Sequence, residues 1–172
     1  MKRGKQGQLQ ISFGMIFSVI LIIAFIGAAI YFINIFLNFK KCSETGLFKQ
    51  DLQETIDKAF NSEKTSEIFP KEGTSLSKEI EIICFADFSR PVTNEDYEED
   101  FKWIKESGKD ANVFFLPREN TCEGQESYNL KHLNISKITG SKNPFCFKKV
   151  NGKIEMRIEQ GIYDNLVTIK EA

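Results

Sequence analysis

The four cysteines of this chain are the residues best suited to covalent chemistry: Cys42, Cys84, Cys122 and Cys146. Their wide spacings contain no CxxC pair of the kind that zinc sites use, so the sequence does not indicate a metal site. An even number of cysteines favours two disulfides, which form in an oxidising compartment outside the cytoplasm. The alternative is four reduced thiols buried in a cytosolic domain.

Four cysteines allow three disulfide connectivities, and the sequence does not choose among them. Our hypothesis pairs Cys122 with Cys146, which would close a local loop. It also pairs Cys42 with Cys84, which would tie the segment after the apolar N-terminal stretch to the rest of the chain.

No other catalytic pattern is visible in the sequence. The single histidine, His132, lies in an alternating segment, where a packed or surface side chain is expected. There is no glycine-rich phosphate loop, no metal-ligand spacing and no serine in a nucleophile elbow. The acids of "NEDYEED" could bind a cation, but they fit the first turn of a helix, where carboxylates offset the macrodipole. We therefore expect no catalytic residue, no metal and no cofactor.

The stretch from residue 11 to 37 is apolar on every side and, as a helix, would extend about 40 Å, against about 30 Å of bilayer hydrocarbon. A soluble core helix would show a polar face. A cleaved secretory signal, cut near Gly27 to Ala29, would leave a strongly apolar new N-terminus. We predict a basic cytoplasmic lead at 1–10, a transmembrane or stem helix at 11–39, and an extracytoplasmic domain at 40–172.

The flanking charges give the expected orientation. Lys2, Arg3 and Lys5 precede the span, whereas Lys40 and Lys41 follow it, which favours a cytoplasmic N-terminus by a narrow margin. The cysteines, which all follow the span, agree with that orientation. "NIS" makes Asn134 a possible glycosylation site, which also requires an external position. The formal net charge of -1 and the lack of a basic patch argue against nucleic-acid binding.

The remaining chain predicts an α+β fold, a small antiparallel sheet with two helices packed on it. Segment 46–62 has apolar residues four apart, and segment 93–108 begins at a cap and ends at a glycine. The buried stripe of the first helix would contain Phe48, Leu52, Ile56 and Phe60, and that of the second Tyr97, Phe101 and Ile104.

Four segments predict strands: "KEIEIICFADF" as a central strand, then "NVFFLP", "YNLKHLNI" and "NLVTIK". The third would place Tyr128, Leu130 and His132 on one face. Asn151-Gly152 predicts a type I′ hairpin. Counting outward from this turn gives a self-consistent register that pairs Lys148 with Glu155, Phe147 with Met156, Cys146 with Arg157, and Phe145 with Ile158.

The start of the chain resembles archaeal type IV pilin-like proteins with a class III signal. A short cationic lead and "GQLQISFGMIFSVILII" carry the resemblance. This start and the later segments "ICF", "NLKHLN" and "NGKIEMRIE" also resemble small single-span archaeal membrane proteins. The resemblance implies cleavage after Gly7, which leaves Gln8 as the first mature residue, and stem helices that bundle together. Such pilins carry a glutamate at the fifth mature position, where this chain has Ser12.

Small residues on the span would permit close helix contact: Gly14, Ser18, Ala28 and Ala29. The expected partners are the bilayer and other copies or related subunits. The sequence thus favours a non-enzymatic, pilin-like structural or adhesive subunit of the cell surface. One alternative is an uncleaved anchor whose outer domain binds an envelope partner. Another is an enzyme whose site has no recognisable motif.

Overall fold

The computed structural model of the protein describes residues 13–108 and 110–172. The described chain divides into two compact units, one that ends at Phe39 and one that comprises Lys40–Ala172. The first helix, α1, runs from Phe13 to Phe60 and contributes to both units.

The first unit contains the apolar part of α1. Every residue from Phe13 to Phe39 is exposed, including the large aliphatic and aromatic side chains. Side chains of this kind on all sides of a helix are typical of a lipid-facing segment. Among the described residues, α1 is the one helix that is long and apolar enough to cross a membrane.

The second unit contains the amphipathic part of α1. Phe48, Leu52 and Ile56 are fully buried on one face, as the four-residue spacing predicts. On the solvent-exposed face of this helix, Lys58 Nζ lies 2.6 Å from Glu54 Oε1. Phe60 is only partly buried and stacks on the ring of His132.

Within the described ranges, seven strands form two antiparallel sheets. The α+β class is therefore confirmed, although one sheet was expected where the structure has two. The three-stranded sheet has the order β1 (Thr65–Phe69), β6 (Met156–Gln160), β7 (Thr168–Glu171). The four-stranded sheet has the order β4 (Ser127–Tyr128), β3 (Val113–Leu116), β2 (Ile82–Phe85), β5 (Phe145–Lys148). Two further helices are α2 (Glu98–Glu106) and the short α3 (Ile135–Ile138).

The four-stranded sheet is buried on both faces, which explains why β2 is apolar throughout. On one face Ile83 and Phe85 join the core that contains Phe48 and Leu52 of α1. On the other face Cys84 packs in a second core, with Tyr97, Phe101 and Ile104. The predicted central strand and the predicted stripe of α2 are therefore confirmed. Gly108, with φ +67, follows the helix in the left-handed conformation that commonly ends helices.

The segment "YNLKHLNI" is not the strand that its alternation predicts. Only Ser127–Tyr128 pairs with β3, and His132 adopts a positive φ of 63. The N–H of Leu130 donates to Asn112 Oδ1 at 2.8 Å, and Asn112 Nδ2 donates to the carbonyl of Leu130 at 2.7 Å. The Asn112 side chain thus makes the two hydrogen bonds that a neighbouring strand would make to Leu130. The alternation itself persists without a strand, since Tyr128 and Leu130 are buried in the same core and His132 stacks on Phe60 at its edge, while these side-chain hydrogen bonds hold the segment as a loop.

The turn at Asn151-Gly152 forms, but the predicted hairpin register is wrong. Both turn residues have positive φ, 51 and 79, and Val150 and Lys153 exchange backbone hydrogen bonds of 2.7 and 3.0 Å. Beyond that pair the strands separate, since β5 pairs with β2 and β6 pairs with β1 and β7. The separation places each strand in a different sheet, where it gains apolar neighbours that the isolated hairpin lacks.

Candidate functional site

All four cysteines form disulfides, but their connectivity differs from our hypothesis. The bonds join Cys42 to Cys122 and Cys84 to Cys146. The expected pairs, Cys122 with Cys146 and Cys42 with Cys84, were wrong because β5 lies beside β2. This pairing places Cys146 directly opposite Cys84, with 4.0 Å between their Cα atoms.

The disulfides link segments that are distant in sequence, with separations of 80 and 62 residues. By loop-closure entropy, each bond alone would stabilise the fold by about 4 kcal/mol. The Cys42–Cys122 bond also has a local effect, since it attaches α1 to the loop that precedes β4.

A groove of about 600 Å³ lies between α1 and this loop. We call it the α1 groove, and its walls are the helix face from Thr45 to Asp57 and the segment from Gly124 to Tyr128, with Phe115 beneath. The helix face spans about 18 Å, or roughly three turns. This volume falls within the range that small-ligand and side-chain pockets occupy.

Both ends of the groove are fastened. At one end is the Cys42–Cys122 disulfide. At the other end the backbone N–H of Lys131 donates to Gln53 Oε1 at 2.9 Å, and His132 Nδ1 lies 3.0 Å from Asp57 Oδ1. These contacts join α1 to the chain on both sides of the segment from Gly124 to Tyr128.

Three buried polar atoms in the groove wall have no hydrogen-bond partner among the described residues: Gln125 Oε1, Ser127 Oγ and Tyr128 OH. An unsatisfied buried polar group costs about 1–3 kcal/mol, so a cluster of three is unusual in a folded domain. Burial raises the pKa of Tyr128 well above its ordinary value, and its hydroxyl therefore stays protonated. The ammonium of Lys49 lies over the Tyr128 ring, 4.8 Å from its centroid.

The carboxylates that line the groove have protein partners. The hydrogen bond from Lys58 and the lysine charge hold the pKa of Glu54 below its usual value. Asp57 Oδ1 accepts from Gln53 Nε2 at 2.7 Å and also contacts His132. The groove therefore offers hydroxyl and amide groups and one lysine for hydrogen bonding, and its two carboxylates are engaged elsewhere.

Gly46 opens the groove at its helical wall. Glycine inside a helix costs about 1 kcal/mol relative to alanine. A Cβ atom at Gly46 would meet nothing within 4 Å, so no packing contact inside the domain requires glycine there. The missing side chain leaves space in the groove.

No family model, curated protein or solved structure matches the chain. Its function must therefore be inferred from its own residues. Among the described residues, no group of three or more His, Cys, Asp and Glu side chains is placed to hold a metal.

The remaining predicted sites lie outside the groove. Gly7 and Gln8, the predicted cleavage site, are outside the described residues. The four small residues proposed for helix contact lie on the exposed part of α1, where Ser18 Oγ donates to the Gly14 carbonyl at 2.8 Å. That hydrogen bond engages the Ser18 hydroxyl within its own helix, and contact between helices stays a prediction.

Asn134 is the N-cap of α3. Its Oδ1 accepts from the backbone N–H of Lys137 at 3.0 Å, while its amide nitrogen, the atom that a glycan would join, takes no part in that bond. The residue is half-buried. Glycosylation stays a prediction.

Sequence reasoning missed the α1 groove. One sign was available, since Gly46 interrupts a segment that otherwise favours helix. The opposite wall, 124–128, consists of the end of the loop that follows Cys122 and of strand β4, and no local pattern indicates the Cys42–Cys122 pairing.

Proposed function

We propose that the protein is a single-span, pilin-like surface subunit with a structural or adhesive role and no catalytic activity. Its N-terminus lies in the cytoplasm and its disulfide-bonded domain lies outside. The observation that carries the proposal is a fully exposed apolar helix, Phe13 to Phe39, followed within three residues by the disulfide-bonded Cys42.

The disulfides support the orientation. Stable disulfides are rare in the cytoplasm, and both bonds of this chain belong to the unit after Phe39. Because Cys42 lies so close to the apolar segment, an external Cys42 requires that the preceding helix cross the membrane. The cationic residues Lys2, Arg3 and Lys5 then lie on the cytoplasmic side.

The resemblance to pilin-like proteins supports the role. The resemblance implies a long apolar stem helix before a β-rich outer domain, and α1 is a long helix whose apolar part precedes two sheets. Other copies or related subunits would then contact the stem through Gly14, Ser18, Ala28 and Ala29. The pairing of both groove carboxylates within the protein supports a binding or structural role over acid–base catalysis.

The test uses the full chain, with a C-terminal tag, in cells of an archaeal host. We expect the tag to resist alkaline extraction from membranes and to be cleaved by protease added to intact cells. Mass spectrometry should find a mature N-terminus at Gln8. A protein released by alkaline buffer, or a tag protected in intact cells, would contradict the proposed anchor and orientation.

The second candidate is an uncleaved anchor whose outer domain binds an envelope partner. The α1 groove favours it, because a groove of about 600 Å³ lined by polar and aromatic side chains is suited to recognition. The two candidates differ at the N-terminus. Retention of Met1 in the membrane protein supports the anchored receptor and argues against processing by the pilin route.

A further inference from the structure

Three polar side chains interrupt the apolar part of α1 near its C-terminal end. They are Tyr31, Asn34 and Asn38, and all three are exposed. Ser18, the other residue of 13–39 with a polar side chain, donates its hydroxyl to a carbonyl of its own helix. Among the described residues, by contrast, the side-chain amides of Asn34 and Asn38 have no hydrogen-bond partner. These two amides therefore depend on a partner from outside the chain.

The length of the apolar part gives the depth of each amide in a bilayer. Residues 13–39 are one helical segment, and their midpoint is Ile26. With this midpoint at the centre of the bilayer, Asn34 lies about 12 Å from the centre, inside the hydrocarbon half-thickness of about 15 Å. Asn38 lies about 18 Å from the centre, at the level of the headgroups. Because hydrocarbon contains no water to bond an amide, Asn34 requires a hydrogen-bonding partner within the membrane.

Asn34 belongs to a regular stripe of the helix, in which spacings of four and three residues alternate. This is the heptad spacing of helices that pack side by side at a crossing angle of about +20°. We call the stripe the Asn34 seam, and its members are Ile20, Ala24, Gly27, Tyr31, Asn34 and Asn38. At about 100° per residue they fall within about 80° of one another. The three polar side chains near the end of the apolar part are therefore all on one side of the helix.

Two small residues of the seam allow a second helix to come close. Ala24 and Gly27 are neighbours on the seam, and a Cβ at Gly27 would meet nothing within 4 Å. No contact within the chain therefore requires glycine at this position. Small residues where membrane helices meet let the two backbones approach, and Gly27 lies about two turns before Asn34. A helix that packs on Gly27 thus comes within reach of the Asn34 amide.

A second copy of this chain supplies the partner that Asn34 requires. Copies in one membrane share one orientation, so residue 34 of each copy lies at the same depth. A carboxamide both donates and accepts, and a buried asparagine on a heptad seam can therefore pair with its equivalent across parallel helices. No charged residue occurs in 13–39, so no charge opposes the approach of two copies. A helix of another protein would need a hydrogen-bonding group of its own at this depth.

We infer that the Asn34 seam of one copy packs in parallel against the same seam of a second copy, with the two Asn34 amides hydrogen-bonded to each other. The inference rests on the proposed function, because it requires anchored copies of one orientation. A contact through the same surface of both copies closes at a pair. Another side of the helix, centred about 135° away, is left for contact with further subunits and carries Gly14, Ser18, Ala28 and Ala29.

The experiment is cysteine cross-linking of the full chain in host membranes. All four natural cysteines are in disulfides, so an introduced cysteine supplies a single free thiol. Ile20→Cys places this thiol on the seam, and the matched control Ile26→Cys places it about 120° away. The two isoleucines are 58% and 55% exposed in one copy, so an oxidant reaches them equally. With copper–phenanthroline we expect covalent dimers from Ile20→Cys and few from Ile26→Cys.

The role of the amides is tested in the Ile20→Cys chain, reconstituted in lipid vesicles. Asn34→Leu with Asn38→Leu removes both carboxamides and keeps the helix apolar. The protein-to-lipid ratio that gives half-maximal covalent dimer should then rise about tenfold, as for the loss of a hydrogen bond between membrane helices. The conservative variant, Asn34→Gln with Asn38→Gln, keeps a carboxamide at both positions and should recover most of the association.

Two results would overturn the inference. One is equal cross-linking at Ile20→Cys and Ile26→Cys. The other is a leucine variant that associates as the parent chain does, which would place both amides among hydrated headgroups. Alkaline extraction of the same membranes separates this failure from failure of the proposed function. A chain that resists extraction but does not cross-link through the seam leaves the anchor intact, whereas a chain released by alkaline buffer contradicts the anchor itself.

Discussion

The two parts of α1 differ in how their hydrophobic residues are arranged. From Phe13 to Phe39 apolar side chains cover all sides of the helix and all are exposed. From Lys40 to Phe60 they occupy one stripe, and Phe48, Leu52 and Ile56 on this stripe are fully buried. One helix therefore carries two different arrangements of apolar residues.

The two parts of α1 differ both in charge, which is absent from 13–39, and in the periodicity of their apolar residues. A helix that packs on a protein core needs one apolar face, whereas a helix in hydrocarbon needs apolar residues all round. The same substitution should consequently have different effects in the two parts.

The largest expected difference concerns charge. Ile23→Asp with Ile26→Asp places two carboxylates in the apolar part, each costing about 3 kcal/mol near the centre of a bilayer. We expect the double variant to lose its resistance to alkaline extraction. The matched variant, Leu47→Asp with Gln50→Asp, has the same spacing on exposed positions of the other part and should stay in the membrane fraction. Equal extraction of the two variants would show that Phe13 to Phe39 does not face lipid.

The second largest expected effect is the loss of the Cys42–Cys122 disulfide, which lies on the amphipathic part of α1. Replacing both Cys42 and Cys122 by serine removes the constraint on an 80-residue separation. The free energy of unfolding of the full chain in micelles should fall by about 4 kcal/mol, as measured by urea and the fluorescence of Trp103. A loss below about 1 kcal/mol would mean that the unfolded chain is little constrained by this bond.

Some elements of the fold could be predicted from the sequence and others could not. The stripe of α1, the stripe of α2 and the central strand β2 were predictable because each is set by local periodicity. The Asn151-Gly152 turn was predictable for the same reason. Its strands were not, because the register that joins Phe147 to Met156 satisfies the hairpin alone and ignores β1, β2 and β7, which compete for the same edges.

Disulfide connectivity and the groove depend on the same long-range pairing. Cys146 meets Cys84 because β5 lies beside β2, and that leaves Cys122 for Cys42. Residues 124–128, one wall of the groove, come shortly after Cys122 in the chain, and the Cys42–Cys122 bond brings this part of the chain close to α1. These contacts join segments far apart in the chain, so no local pattern contains them.

A third comparison uses leucine. Leu52→Ala removes a fully buried side chain and should lower the free energy of unfolding by about 2–5 kcal/mol, through lost transfer energy and the cavity that remains. Leu21→Ala, in the exposed apolar part, should change it by less than about 0.5 kcal/mol in the same urea titration. If both variants lost similar stability, Leu21 would have a packing partner within the folded protein.

The smallest comparison uses the two glycines of α1, Gly27 and Gly46, since a Cβ at either position would meet nothing within 4 Å. Gly46→Ala should raise the free energy of unfolding by about 1 kcal/mol, because alanine restricts the unfolded chain and favours helix. Gly27→Ala lies outside the domain that unfolds in urea and should leave the transition unchanged. If Gly46→Ala were less stable than the wild type, the added methyl group would have met an obstacle. The α1 groove would then be narrower at this residue than the structure indicates.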